Sequence, residues 1–162
     1  MCLLTQSRFP RLFWAFQYFL GGTADKRRLS LLHYGGHRRV LEVGCSVGNV
    51  AAVFQGRDCE YLGVDIDSAV IHSARRRFAN AAHLKFLCVD LLELNEGEGC
   101  FDYIVFPGVC HHVATPKLHE LLRKAVRILD PQGCLVVIDP VRHSGGTRLM
   151  DAYLRMDRGG FM

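Results

Sequence analysis

No two cysteines in this sequence have the C-x-x-C spacing of a zinc or dithiol site, although there are seven, at positions 2, 45, 59, 88, 100, 110 and 134. An odd number without a pairing pattern predicts free thiols in a reducing, cytoplasmic setting. Several lie inside apolar runs, where a thiol behaves as a small hydrophobe. A long apolar run is missing as well. The longest, Leu12 to Leu20, is broken by Gln17 and falls well short of the roughly 20 residues that span a bilayer. Gly21-Gly22 and a charged stretch follow it, with no cleavage site, so neither a signal peptide nor membrane insertion is expected. Strong charge of either sign is also absent. The net charge is +4, and the basic clusters Arg27-Arg28, Arg38-Arg39 and Arg75-Arg76-Arg77 are scattered along the chain. They read as solvated faces, and a nucleic-acid partner is not expected.

What is present is the composition of a globular chain, 49% hydrophobic and 22% charged, and 162 residues suffice for one domain with a single core. Residues 8 to 20 are crowded with aromatics, with Pro10 suited to a helix start and Gly21-Gly22 to its end. They predict a short helix that covers the core or lines a pocket. A second helix is expected over Ala24 to His33, before the turn at Gly35-Gly36, which makes residues 1–36 a helical cap.

Strand signals recur from residue 40 onward: Val40 to Val43, Tyr61 to Asp65, Leu84 to Asp90, Tyr103 to Phe106 and Leu135 to Asp139. Each is nearly continuous in apolar character, as expected where helices cover both faces of a parallel sheet. Helical patterns separate most of them. The first begins in VAAVF, Val50 to Phe54. The second covers Ser68 to Ala82 with Asp67 as cap, and the third runs from Pro116 to Leu129 with Thr115 as cap and Pro131-Gln-Gly133 as stop. The alternation predicts an α/β fold, a doubly wound, mostly parallel sheet with helices on both faces, whose ligand lies beyond the carboxyl ends of the strands.

The residues at those ends point to a nucleoside. After the first strand comes a glycine-spaced turn, Gly44 to Asn49, which would bring a ligand close to bare peptide N–H groups at a helix N-terminus. After the second stands Asp65, 21 residues past Gly44, a separation at which an acid can accept from both ribose hydroxyls. After the third stands Asp90, placed to receive an exocyclic amine, with Ile66 and Leu91 able to sandwich a flat base. The fourth ends in Pro107-Gly108 and the fifth in Asp139. The G-x-G-x-x-G of dinucleotide enzymes would require glycines at 44, 46 and 49; only the first is present.

The loop Glu42-Val-Gly44-Cys45-Ser46-Val-Gly48 instead resembles the E/D-x-G-x-G-x-G loop of class I S-adenosylmethionine-dependent methyltransferases, with Ser46 in the middle glycine's place. GVDID, CVDLLEL, FDYIVFPGVCHHV and LRKAVRILDPQGCLVVIDP follow in that family's order, so the resemblance covers about residues 38–140. It implies S-adenosylmethionine as cofactor and transfer of a methyl group to an O, N or C nucleophile of a small molecule. Gly44, Ser46 and Gly48 would pass under the methionine half, and Glu42 would hold its amino end. Asp65 would hold the ribose and Asp90 the adenine, between Ile66 and Leu91. Pro107, Gly108 and Val109 would wall the reactive methyl. Cys45 and Asn49 complete the loop. Ser46 fits this scheme if its backbone φ is negative. A base is optional; His111 and His112 are candidates, since imidazole titrates near neutrality. They stand against a structural reading of the same pair. A metal held by Cys110, His111 and His112 is not expected, because adjacent residues rarely reach one ion with good geometry.

The resemblance further implies a sixth and a seventh strand, and none is found in residues 141–162. The chain therefore reads as C-terminally short, with Leu135 to Ile138 as an exposed edge through which a second copy could pair. Two alternatives stay open: a cofactor-binding module that is inactive alone or needs a partner, and an RNA or protein methyltransferase.

Overall fold

In a computed structural model, residues 22–97 and 99–140 are described. The continuous apolar segments form five strands: β1 (Arg39–Val43), β2 (Glu60–Asp65), β3 (Leu84–Cys88), β4 (Phe101–Pro107) and β5 (Leu129–Ile138). They make one sheet in the order β3-β2-β1-β4-β5, and every neighbouring pair is parallel. Successive residues feed opposite faces, as strand geometry requires. On β4, Tyr103 and Val105 join one core cluster while Ile104 and Phe106 join the other. Both faces of the inner strands β1, β2 and β4 are buried, which is why these carry no polar alternation, whereas the edge strands β3 and β5 are partly exposed.

Three of the expected helices form: α1 (Gly22–Leu29), which starts two residues before Ala24 and ends four before His33, α2 (Ser68–Arg77) and α3 (Thr115–Ile128). α2 packs Ile71 and Ala74 onto one face of the sheet, together with Phe54 and Tyr34; α3 packs Leu121, Ala125 and Ile128 onto the other. Asp67 caps α2 as expected, its carboxylate accepting from Ala69 N at 2.9 Å. α2 stops five residues before Ala82, because Phe78 turns inward to stack on Phe86. The cap of α3 is Ala114, without a side-chain hydrogen bond, and Thr115 is already helical. Pro131 to Gly133 do not separate helix from strand. β5 begins directly at Leu129, and its register on β4 shifts between Phe101 and Tyr103, which pair with Leu129 and Cys134. The expected helix over Val50 to Phe54 is a single 3-10 turn, Ala51–Val53.

Among the described residues β5 lies at one edge of the sheet and β3 at the other. No helix among them is long and apolar enough to cross a membrane. The expected helix over residues 8–20, and the expectation of missing final strands in 141–162, fall outside the described residues.

Candidate active site

A cleft of about 290 Å³ opens at the carboxyl ends of the strands. Of the residues assigned to a cofactor from sequence, Glu42, Gly44, Cys45, Ser46, Asn49, Asp65, Ile66, Asp90, Leu91, Pro107 and Gly108 all line it. Gly48 does not. It serves packing instead: at its φ of +75°, a Cβ would lie 2.5 Å from Cε2 of Phe78.

The glycine loop differs from expectation in how its N–H groups are used. Gly44 N and Cys45 N both donate to the carbonyl of Val64, Gly48 N donates to Cys45 O, and Ser46 N donates to Oδ2 of Asp65 at 2.9 Å. Three of these groups hold the loop against β2 and the Gly48 N–H closes a turn within the loop; no regular helix follows, so there is no helix N-terminus aimed at a ligand. Ser46 has a φ of +51°, in the left-handed region, so the negative φ on which its fit in the middle glycine's place depended is not met. The Asp65 carboxylate on its N–H holds it there. Gly44 is required by close approach: a Cβ there would collide with Cγ2 of Val109. Two arginines grip the loop's carbonyl side. Arg27 Nε donates to Asn49 O at 2.7 Å, and a guanidinium nitrogen of Arg77 donates to Val47 O at 3.2 Å.

The acids take distinct environments. Asp65 bridges the loop to the start of α2, its second oxygen accepting from Asp67 N at 3.0 Å. Burial raises its pKa, against the lowering effect of those backbone donors. Glu42 is 1% exposed and accepts a hydrogen bond from the Tyr61 hydroxyl. Burial pushes its carboxyl up to about 8, with Tyr61 and the Lys26 charge opposing the rise and Asp65 adding to it. Asp90 accepts from Leu92 N at 3.0 Å and from Lys117 Nζ at 2.6 Å. Burial favours its neutral form, but Lys117 and the Leu92 amide outweigh this and hold its pKa below the usual carboxylate range. Beside it Leu91 is buried while Ile66 is 74% exposed, an apolar side chain left at the rim.

The two histidines separate. His112 lines the cleft, whereas His111 does not; its Nδ1 is hydrogen-bonded to Asp139. Asp139 also accepts from Cys110 N at 3.1 Å and His111 N at 3.3 Å, tying the loop after β4 to the end of β5. Burial raises the Asp139 pKa, and the bonds from His111 and Cys110 more than reverse this. The rings of His111 and His112 lie 3.8 Å apart between centroids.

Three residues of the site carried no role in the sequence. Asp139 was noted only as an acid at a strand end, and its loop partners lie 28 and 29 positions away. Lys117 had a usable signal, since it precedes Leu121 by one helical turn on the stripe that faces the sheet. Lys26, at the cleft from α1, had none.

Residues 40–133 match a family model described as a methyltransferase domain. An uncharacterized methyltransferase of Mycobacterium bovis is 32% identical over 103 residues, 64% of this chain and 51% of that protein. Squalestatin hexaketide synthase of a Phoma species is 30% identical over 114 residues, 62% of this chain and 4% of that protein. The chain thus spans about half the length of the mycobacterial relative and a small part of the synthase. In fold, it superposes on a SAM-dependent methyltransferase from Archaeoglobus fulgidus with a TM-score of 0.72 at 20% identity, covering 93% of this chain and 67% of that one. It also superposes on the methyltransferase CalH in complex with SAH, with a TM-score of 0.59 at 23% identity over 75% of this chain and 38% of that one.

Proposed function

The chain belongs to the class I S-adenosylmethionine-dependent methyltransferase family, and from that premise we propose that its cleft binds S-adenosylmethionine and passes the methyl group to an O, N or C nucleophile of a small molecule. The observation that carries this reading is the convergence of four strand ends on one cleft, with Asp65 held between the glycine loop and α2. Its residues fit the cofactor. Asp65 has further lone pairs for the two ribose hydroxyls, Asp90 an ionised oxygen for the adenine amine, and exposed Ile66 and buried Leu91 both line the cleft as apolar cover for a flat ring. The volume lies at the low end of small-molecule sites.

When bound, the cofactor supplies a methyl carbon made electrophilic by the adjoining sulfonium. The protein's task is then to align and to exclude water. Pro107, Gly108 and Val109 form the wall on which the acceptor is lined up. His112 accepts the proton of the acceptor's hydroxyl or amine, while Asp139 and His111 fix the short segment that carries it. His111, bound to Asp139, acts as a positioning residue. A second copy of the chain, joined through the edge of β5, is the partner the sheet order favours.

The test is calorimetric titration with S-adenosylhomocysteine of the wild-type chain and Asp65→Ala. Binding by the wild type that is lost in the variant supports the reading and justifies an acceptor screen with labelled methyl donor. A folded wild-type chain that binds nothing overturns it.

A further inference from the structure

A second cavity, of about 320 Å³, opens where the chain enters β1 and β2, at the opposite ends of the strands from the cleft, and it serves no step of the proposed transfer. Its buried member is Tyr34. That ring meets Phe54 and Tyr103 edge-on, at 5.3 and 5.6 Å between centroids, and its hydroxyl is hydrogen-bonded to the Cys59 thiol. The Arg57 guanidinium lies over the ring, 5.1 Å from its centre, while Nε of the same group donates to Val53 O at 2.9 Å. One face and one nitrogen are thus fixed. Among the described residues the two terminal nitrogens of Arg57 have no hydrogen-bond or ion-pair partner. Gly36 and Gly56 also line the pocket, and a Cβ at either would meet nothing within 4 Å, so the space beside the guanidinium is open.

A planar guanidinium fixed by one bond and one aromatic face presents its remaining N–H groups as a fork, the geometry that meets a phosphate or a carboxylate with two bonds at once. A second guanidinium decides between them. Arg38 lines the same pocket and pairs with Asp58 at 2.9 Å, but the two side chains are 70% and 86% exposed, and a pair so open to water contributes little. A ligand that offers more draws Arg38 away. Two guanidiniums on one pocket suit the charge that a phosphoryl group spreads over three oxygens better than that of a single carboxylate. The volume lies at the low end of small-molecule sites and leaves room for the body of an ester beside its phosphoryl group. We infer that Arg57 and Arg38, braced by Tyr34, form a second binding site, which takes the phosphoryl group of a small phosphate monoester apart from the methyl-transfer cleft. Asp58 competes with that ligand for Arg38.

The test is calorimetry of the full chain with ribose 5-phosphate, ribose and inorganic phosphate at fixed ionic strength. Ribose 5-phosphate should bind, ribose should not, and inorganic phosphate should bind more weakly than the ester. Arg57→Gln should weaken the ester about tenfold or more, the scale of a lost charged hydrogen bond. Arg57→Lys, which keeps the charge and loses the fork, should recover only part of the loss. Asp58→Asn should bind the ester more tightly than the wild type, because it frees Arg38, and a merely structural role for these residues would not give that sign. This gain keeps the test decisive even where the loss of Arg57 disturbs the fold. No binding of the ester, equal binding by the wild type and Arg57→Gln, an Asp58→Asn variant that gains nothing, or inorganic phosphate bound as tightly as the ester overturns the assignment. None of these outcomes touches the cofactor reading, which the S-adenosylhomocysteine titration tests by itself at the other end of the strands.

Discussion

Glu42 is a carboxyl group in the middle of a parallel sheet, and its environment makes the stability of the fold depend on pH in an unusual direction. Burial raises it from an ordinary 4.5 to about 8. Between those values the unfolded chain has given up the proton and the folded chain retains it, so stability falls as pH rises from about 4.5 and the loss is complete once pH passes about 8. At about 1.4 kcal/mol per pH unit the span corresponds to at most about 5 kcal/mol. That is a large part of the roughly 5–15 kcal/mol that holds a domain together. Glu42→Gln keeps the shape and an acceptor for the Tyr61 hydroxyl but removes the titration. Urea unfolding of both proteins at pH 5, 6, 7 and 8 cancels every other ionisable group in the difference. The two should be near-equal at pH 5, and the Gln variant should gain steadily until it leads by several kcal/mol at pH 8. A difference that stays constant across this range, or a Gln variant that is the weaker at pH 8, refutes the argument.

Ser46→Gly should relieve a left-handed backbone that costs about 1 kcal/mol for a residue with a Cβ, read as a higher urea midpoint at unchanged slope; a lower midpoint would mean that the serine earns its place by contacts. Lys117→Met should let Asp90 protonate more readily, so that affinity for S-adenosylhomocysteine is lost at higher pH on acidification than in the wild type; superimposable pH profiles would exclude Asp90 ionisation from binding. Once an acceptor is known, His112→Gln should lower kcat about 100-fold with cofactor affinity unchanged, the scale of a lost general base. An unchanged kcat would leave the histidine pair with only the structural role that Asp139 suggests.

The strands were legible because each is short, apolar on both faces and ended by a chemically distinct residue, and these properties survive in one dimension. That legibility extended to the cleft: once five strand ends lie side by side, Glu42, Asp65, Asp90 and Gly108 must share an edge, whatever covers them. Gly48 was misplaced for the same reason that Gly44 was placed. Spacing shows that the chain turns at both, and only packing shows that Gly44 meets Val109 across the cleft while Gly48 meets Phe78 behind it. The conformation of Ser46 was likewise beyond the sequence, because it depends on the Asp65 carboxylate 19 residues away.

The covering layers account for the rest of the difference, and they decide how the cleft discriminates. Lys26, Lys117 and Asp139 each reach the sheet edge from a separate element, and none of their pairings has a fixed sequence distance. The strand ends alone form an acidic row suited to any adenosine. Lys117 neutralises that row at the adenine end by holding Asp90, and Asp139 is consumed in anchoring the loop beside Gly108. Among the described residues Lys26 is the remaining lysine at the cleft, which Glu42 also lines from its buried position. A parallel sheet supplies the common part of the site, and the residues that give it polarity from one end to the other come from helices packed over it.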